Sequence, residues 1–268
     1  LFRRSKNTEL PVITQILNLI PTWLFNSCIQ KYQSDKYTHK YKTYDQLVAL
    51  SFGQLNKCES LNGISSGIGI NKKFIEDLKL SQSPARSTMS DGNKKRDWRV
   101  FEHLYNRLLS HYQSVLKKHH KPHIIKEIKG KVVKLIDSST ISLCLAMFDW
   151  AEFRTAKGGI KLHTSFDIDM MLPDVVNITE AKVHDRYGFN QLIFPKDTII
   201  VEDRAYFDFE LMRNTIAASN VFVTRIKTNT QYQTIRELDL PEDKDGHILK
   251  DQIIGLSSDK AVETGIAE

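Results

Sequence analysis

The first 130 residues carry apolar side chains at the spacing that is typical of helices. Ile13, Ile16, Leu17 and Ile20 recur three and four positions apart, which places them on one helical face. Pro21 ends that helix because proline has no amide hydrogen to donate. The same spacing predicts further helices over 22–29, 44–56, 60–68 and 96–119. We therefore expect an all-α N-terminal domain over residues 1–130.

Beyond residue 130 the apolar pattern becomes that of strands. A continuous apolar run predicts a buried strand, and later segments alternate apolar and polar side chains. The expected strands are 132–136, 158–169, 172–183, 198–203 and 220–226. Short links join the first three strands, and helices over 187–193 and 207–219 then alternate with the others. This order predicts an α/β fold, a mixed sheet with flanking helices, antiparallel first and parallel later.

Composition limits the class of protein. The chain is 41% hydrophobic, which is enough for a sizeable core. It contains no run of 18 apolar residues, so no membrane-spanning helix is expected. Its first residues lack the apolar stretch of a signal peptide. Three well-separated cysteines (Cys28, Cys58 and Cys144) form neither a disulfide framework nor a zinc motif, which favours the cytoplasm.

The charges are divided between the two halves of the chain. Residues 1–130 carry 22 Lys and Arg against 10 Asp and Glu, whereas residues 131–268 carry 16 against 22. The basic half suits DNA phosphates, and the acidic half suits metal-binding carboxylates. The basic residues concentrate in one cluster, made of Arg86, Lys94, Lys95, Arg96 and Arg99. The alternative interpretation of this cluster is a solvated helix face.

Two predicted strands end in acidic residues. Asp137 follows the run VVKLI, and Glu202 and Asp203 follow TIIV. Carboxylates held at neighbouring strand ends can bind two Mg²⁺ ions, which promote in-line phosphoryl displacement. Glu202 and Asp203 are expected to face opposite sides, since neighbours along a strand alternate. The alternative is that Asp137 is a turn former before Ser138.

Three basic side chains accompany these acids. Lys161 and His163 alternate along the second strand, so they are candidates for DNA contacts at the same site as Asp137. Arg204 adjoins Asp203 and is a candidate phosphate ligand. A solvated strand face is the alternative for Lys161 and His163.

Several segments, in order along nearly the whole chain, resemble the DDE transposases of bacterial insertion sequences, specifically the insertion-sequence-four family. They are QILNLIPTWLF, YKTYDQLVALSFGQL, ARSTMSDGNKKRDWRVFEHLY, VVKLIDSSTISL, KGGIKLHTSFD, TEAKVHD and VEDRAYFDFE. The resemblance implies an RNase H-like catalytic domain with Asp137 and Asp203 as its first two catalytic acids. It also implies two Mg²⁺ ions, with Mn²⁺ as a substitute, and a homodimer that acts on terminal inverted repeats and target DNA.

The third acid of that family has no counterpart in the sequence. The family places it in a motif of Tyr, two residues, Arg, three residues and Glu, whereas Tyr232 and Arg236 are separated by three residues. Neither Glu263 nor Glu268 fits the motif. We expect a catalytic domain over 131–227, the start of a β-rich insertion over 228–268, and the third acid beyond residue 268. The alternative is an inactive copy that binds element-end DNA without cutting it.

Overall fold

The computed structural model contains two compact units, Leu1–Val115 and Leu116–Glu268. The sequence-based domain boundary at residue 130 lies inside the second unit. No helix among the described residues has both the length and the apolarity needed to cross a bilayer. The residues that the structure describes are 10–119, 128, 130–143, 152–154, 157–189, 193–240 and 248–266.

The described residues of the first unit form helices. Its described helices are α1 (Val12–Leu17), α2 (Thr22–Tyr32), α3 (Thr43–Leu55), α4 (Leu61–Ile68), α5 (Lys72–Asp77), α6 (Arg86–Lys95) and α7 (Arg99–His119). The helix expected from residue 96 begins instead at Arg99, because Arg96 has an extended backbone that ends α6. The α3 and α4 helices pack closely, and a Cβ on Gly67 would lie 2.7 Å from the Phe52 ring. Glycine at 67 therefore allows the close packing of α4 against α3.

The second unit contains a mixed sheet with flanking helices. Its strands are β1 (Val132–Leu143), β2 (Glu152–Arg154), β3 (Lys157–Asp167), β4 (Leu172–Glu180), β5 (Thr198–Glu202) and β6 (Val221–Val223). The order is β2-β3-β1-β5-β6, with β4 also beside β3. The pairs β1–β3 and β3–β4 are antiparallel, whereas β1–β5 and β5–β6 are parallel. The predicted change from antiparallel to parallel pairing is confirmed.

The remaining described elements follow or flank the sheet. They are α8 (Asp185–Phe189), a 3-10 turn (Arg204–Tyr206), α9 (Phe209–Ala217), β7 (Tyr232–Glu237), β8 (Gln252–Leu256) and α10 (Asp259–Glu263). The β7 and β8 strands form a separate antiparallel pair. Phe207 and Met212 bury Ala261 and Ile266, so α10 packs against the region around α9.

The β1 strand is longer than its apolar run. It was expected to end at Ile136, but it continues to Leu143 because Ser138–Leu143 pair with β3. Pairing with β5 stops earlier, at Ile136 and Glu202. Asp137 thus lies within a strand, at the point where β1 loses its parallel neighbour. Its role as a turn former is thereby excluded.

The two faces of the sheet differ in how far other elements pack over them. On the closed face, Ile136 and Ile200 are buried against Tyr206 of the 3-10 turn and Leu211 of α9. We call the other side the open face. Its exposed apolar side chains include Leu135 (38% exposed), Ile141, Val176, Ile178, Val221 and Val223.

Candidate active site

Asp137 and Asp203 occupy adjacent positions on neighbouring parallel strands. The register pairs Ile136 with Glu202, and the two aspartates are the next residue of each segment. Asp203 keeps an extended backbone (φ −72°, ψ 157°), so side-chain alternation carries through β5 to it. Neighbouring strands lie about 4.8 Å apart. The two carboxyl groups therefore emerge side by side where β5 ends.

Burial shows that both carboxylates belong to the open face. Ile136 and Glu202 are 3% and 7% exposed, whereas Asp137 and Asp203 are both exposed. Burial raises the pKa of Glu202 to about 8, so this acid is neutral at pH 7. Glu202 is therefore not a third anionic ligand beside the aspartates, as the alternation along the strand predicts.

Asp203 is oriented by the turn that follows it. Its Oδ1 accepts a hydrogen bond from the backbone N–H of Ala205 at 3.1 Å and caps the 3-10 turn. Its Oδ2 lies 3.5 Å from the Arg225 guanidinium. Half of the Asp203 side chain remains exposed, which leaves carboxylate lone pairs available to a cation. Arg204, at the start of the turn, is exposed as well.

Lys161 and His163 do not reach this carboxylate pair. Asp137 is paired with Thr164, whereas His163 is paired with Ser138 and Lys161 with Thr140. Paired residues share a face, so both basic residues lie on the closed face. The expectation that they face the same site as Asp137 is wrong. In the observed register Thr164 shares the face of Asp137, and a shift of one residue would be needed to bring His163 and Lys161 to that face.

His163 is instead a buried packing residue. It is fully buried, and its Nε2 lies 2.8 Å from the Thr179 hydroxyl. Burial lowers the pKa of His163, so the ring is neutral at pH 7. A Cβ on Gly188 would lie 2.3 Å from this ring. Glycine at 188 is therefore what lets α8 pack against the sheet.

A hydrogen-bonded network lies on the closed face behind Asp137. Asp185 accepts a hydrogen bond from Ser138 at 2.7 Å and pairs with Lys161 at 3.0 Å. Burial alone would raise the pKa of Asp185, but these two partners lower it below its ordinary value. Burial, opposed by a hydrogen bond with Ser138, raises the pKa of Tyr206 to about 12. The network joins β1, β3, α8 and the 3-10 turn beside Asp203.

A second buried cluster lies further down β1. The Lys134 ammonium donates to Asp167 at 2.6 Å and also to Asp174. Burial disfavours the charged ammonium, but the two carboxylates outweigh it and raise the pKa of Lys134. Lys134 lies within the otherwise apolar run VVKLI, and a charge in a buried strand needs charged or polar partners. That position is the sequence signal for the cluster, which was not among the predicted site residues.

The aspartate pair is suited to a divalent cation but does not complete a site. Exposed carboxylate oxygens on rigid neighbouring strands are the hard ligands that Mg²⁺ prefers. Within the ranges that the structure describes, no three His, Cys, Asp or Glu side chains are grouped to hold a metal ion. Asp137 and Asp203 could thus supply two protein ligands, which are fewer than the three or more that a closed metal site needs.

The predicted basic cluster of the helical unit contains four exposed residues and one buried residue. Arg86, Lys94 and Lys95 are exposed on α6. Arg99 is exposed too but is paired with Asp97 at 2.6 Å. Near them a cleft of about 530 Å³ is lined by several polar residues, among them Lys36, Ser87, Thr88 and Lys95. The first turn of α6 has no side-chain cap, so its N–H groups are open to an anion.

Arg96 does not belong to this exposed cluster. Its side chain is 5% exposed. The guanidinium donates to the Tyr41 carbonyl at 2.6 Å and to Gln46, and it lies 3.9 Å from Asp35. Burial lowers the pKa of Arg96 relative to a free guanidinium. Because these bonds tie α6 to α3 and the segment before it, Arg96 has a structural role.

Comparison with known families gives two matches. Residues 128–261, half of the chain, match the family described as Transposase DDE domain. Residues 8–75 match the family described as Domain of unknown function (DUF4372). The first match includes β1, β5 and both candidate carboxylates.

Two curated proteins show similarity along part of their length. Probable transposase for insertion sequence element IS5377, from Geobacillus stearothermophilus, is 31% identical over 109 residues, which cover 40% of this chain and 28% of the relative. Putative transposase y4zB, from Sinorhizobium fredii (strain NBRC 101917 / NGR234), is 24% identical over 155 residues, 58% of this chain and 41% of the relative. The matches thus span less than half of either relative.

Proposed function

Because this chain belongs to the Transposase DDE domain family, we propose that it is a DNA transposase of the insertion-sequence-four type. Asp137 and Asp203 are its first two catalytic acids. The observation that carries this proposal is their adjacent register on one open sheet face. Family membership supports a divalent-metal chemistry on DNA in general, and the register of β1 with β5 supports the assignment of these two residues.

In this proposal the two aspartates bind Mg²⁺, for which Mn²⁺ substitutes. Two bound ions would activate a water or a DNA 3′-hydroxyl and stabilise the leaving 3′-oxygen. The capping bond from Ala205 holds the Asp203 carboxylate, and pairing with β3 holds Asp137 on a rigid strand. Rigid placement matters because a loosely held ligand misplaces the reacting groups.

The proposed DNA-contacting residues are the exposed basic ones. Arg86, Lys94, Lys95 and Arg99 of the helical unit are suited to phosphates of the terminal inverted repeats, and Arg204 to the strand being cut. We leave Arg96, Lys161 and His163 out because each is buried or paired internally. A homodimer that holds two element ends and the target DNA completes the proposal.

A second candidate function is DNA binding without cutting. It is favoured by one observation: among the described residues, no third carboxylate accompanies Asp137 and Asp203. A chain that occupies element ends without a complete metal site would bind DNA and leave it intact.

Strand cleavage and binding, measured in parallel, test both candidates. The substrate is a labelled duplex that carries the element end, incubated with Mg²⁺ and either the chain of 268 residues or a version of it completed with the family's third acidic residue. The transposase proposal predicts metal-dependent nicking at the end by the completed version, lost in Asp137→Asn and in Asp203→Asn, and almost no nicking by the chain of 268 residues alone. Asp239→Asn changes an exposed acid outside the site and should cut like wild type.

The outcomes separate the candidates. End-specific binding without any nicking, even by the completed version, supports the binding-only function. Nicking that persists undiminished in Asp137→Asn contradicts the catalytic assignment. Binding with no preference for the element end contradicts the proposed recognition of terminal repeats.

A further inference from the structure

A row of alternating cationic and aromatic side chains lies across helices α2 and α7. The two helices pack through the buried side chains of Leu24, Cys28, Val100 and Leu104. Above that seam lies a set of side chains that we call the α2–α7 stripe. Its members are Trp23, Lys31, Tyr32, His103, Arg107 and His111.

The members of the α2–α7 stripe form two groups of contacting side chains. The Lys31 ammonium lies 5.5 Å from the centre of the Tyr32 ring, and Tyr32 meets His103 edge-on at 5.8 Å. Further along, the Arg107 guanidinium lies 5.7 Å from the centre of the Trp23 ring. These rings hold the two cations in place, since a cation is attracted to an aromatic face.

The geometry of α7 makes the stripe linear. His103, Arg107 and His111 follow one another at four-residue spacing, so they lie on one helical face. They span about 12 Å along the axis. That distance corresponds to about three to four nucleotides along one DNA strand. The His111 ring meets the Trp23 ring edge-on at 6.1 Å, so these two rings form one end of the stripe.

The two cations of the stripe are not neutralised by acids. Among the described residues, neither Lys31 nor Arg107 has a carboxylate oxygen within 4 Å, in contrast to Arg99, which is paired with Asp97. Burial lowers the pKa of His103, and the charges of Lys31 and Arg107 lower it further. Trp23 is 59% exposed beside them. The stripe thus presents positive charge and flat apolar surface to the outside.

We propose that the α2–α7 stripe is a second DNA-binding surface, which contacts the sugar–phosphate backbone of a DNA duplex. This proposal rests on the proposed DNA-binding function. It adds a second set of DNA contacts to those of the exposed basic residues on α6, which counting basic residues along the chain did not reveal. Lys31 and Arg107 each contact a phosphate, and Trp23 and Tyr32 orient them. Charge complementarity selects a polyanion, and the linear spacing selects an extended one.

Salt-dependent binding tests the stripe directly. Fluorescence anisotropy of a labelled duplex of about 30 base pairs gives the affinity of the full chain at several salt concentrations. Each lost phosphate contact reduces the salt slope by about 0.9, so Lys31→Ala with Arg107→Ala should reduce it by about two. Affinity at about 100 mM salt should fall by about tenfold or more.

Matched variants separate charge from folding. Lys72→Ala with Lys73→Ala removes the same charge from exposed positions of α5 and should leave the slope unchanged. Lys31→Arg with Arg107→Lys keeps both charges and should keep the slope. Trp23→Ala keeps both charges and should weaken binding a few-fold with the slope unchanged.

Three results would overturn the proposal. An unchanged slope in Lys31→Ala with Arg107→Ala, while wild type binds, rejects the stripe and leaves DNA binding intact. A change in oligomeric state by light scattering, with an unchanged slope, shows that the stripe docks a second copy instead. No duplex binding by wild type at any salt concentration contradicts the proposed function itself.

Discussion

The two faces of the sheet hold acidic residues in opposite ways. On the closed face, Asp167, Asp174 and Asp185 each have a basic or hydroxyl partner, and Glu202 is neutral because it is buried. On the open face, Asp137 and Asp203 remain exposed beside apolar surface, although Asp203 also caps the 3-10 turn and lies 3.5 Å from Arg225. Acids that only stabilise a fold are buried with their partners, whereas acids suited to a ligand keep lone pairs exposed to solvent.

This contrast makes a general prediction about substitutions. Changes on the closed face should alter the free energy of unfolding, because they leave buried polar groups without partners. Changes at the open-face aspartates should alter ligand binding and leave unfolding nearly unaffected. The predictions below test this division in decreasing order of their effect on stability.

Breaking the Lys134 cluster should have the largest effect. Lys134→Met leaves Asp167 and Asp174 buried without their cation, so unfolding should become easier by about 3–5 kcal/mol. Urea denaturation followed by circular dichroism measures the loss. Adding Asp167→Asn and Asp174→Asn removes the stranded charges and should recover part of it. Full stability of Lys134→Met would contradict a structural role for the cluster.

The next largest effect should depend on pH, through Glu202. Burial raises its pKa from an ordinary 4.5 to about 8. A carboxyl group whose pKa is higher in the folded state contributes its full stabilisation of the fold below about pH 4.5. This contribution is lost as the pH rises through about 8. Glu202→Gln should therefore match wild type at pH 5 and exceed it by about 2–4 kcal/mol at pH 9. Thermal melts across this range provide the comparison, and equal melting at pH 9 would contradict the burial of a neutral acid.

A smaller effect is expected at Ser138. Ser138→Ala removes the hydroxyl that donates to Asp185, so we expect a loss of about 1.5 kcal/mol. The control is Ser139→Ala, which removes an exposed hydroxyl on the adjacent residue and should change stability by less than about 0.5 kcal/mol. Denaturant titration of the pair measures the difference. Equal stabilities would show that the Asp185 network contributes little.

The smallest effect on stability should occur at the open-face aspartates. Asp137→Asn and Asp203→Asn each remove an exposed charge, so the free energy of unfolding without metal should change by less than about 0.5 kcal/mol. With Mg²⁺ present, the wild-type chain should gain stability that neither variant shows. Thermal melts with and without Mg²⁺ measure both quantities. A large loss of stability without metal would mean that these aspartates are structural.

Much of the fold could be predicted because it depends on local pattern. Apolar spacing predicted five of the seven described helices of the first unit but missed α5 and α6. The order of strands and helices predicted the change from antiparallel to parallel pairing. The end of β1 could not be predicted, since hydroxyl-rich Ser138–Leu143 become a strand through pairing with β3. Long-range pairing of that kind leaves little trace in the apolar pattern.

The candidate site was predictable in part for the same reason. Asp137 and Asp203 were identified from their place after apolar runs, whereas their shared face depends on register. Lys161 and His163 were assigned to the wrong face, because a shift of one residue reverses every side chain. The role of Arg96 depends on distant Tyr41 and Gln46, which the count of basic residues does not reveal.

The central claim is that Asp137 and Asp203 act as one metal-binding pair on the open face. The most direct test is Mn²⁺ binding, measured by electron paramagnetic resonance, for wild type, Asp137→Asn, Asp203→Asn and the double variant. If one ion bridges both carboxylates, each single variant loses most of the affinity and the double variant loses little more. Additive losses, or Mn²⁺ affinity that is the same in all four proteins, would contradict the pair.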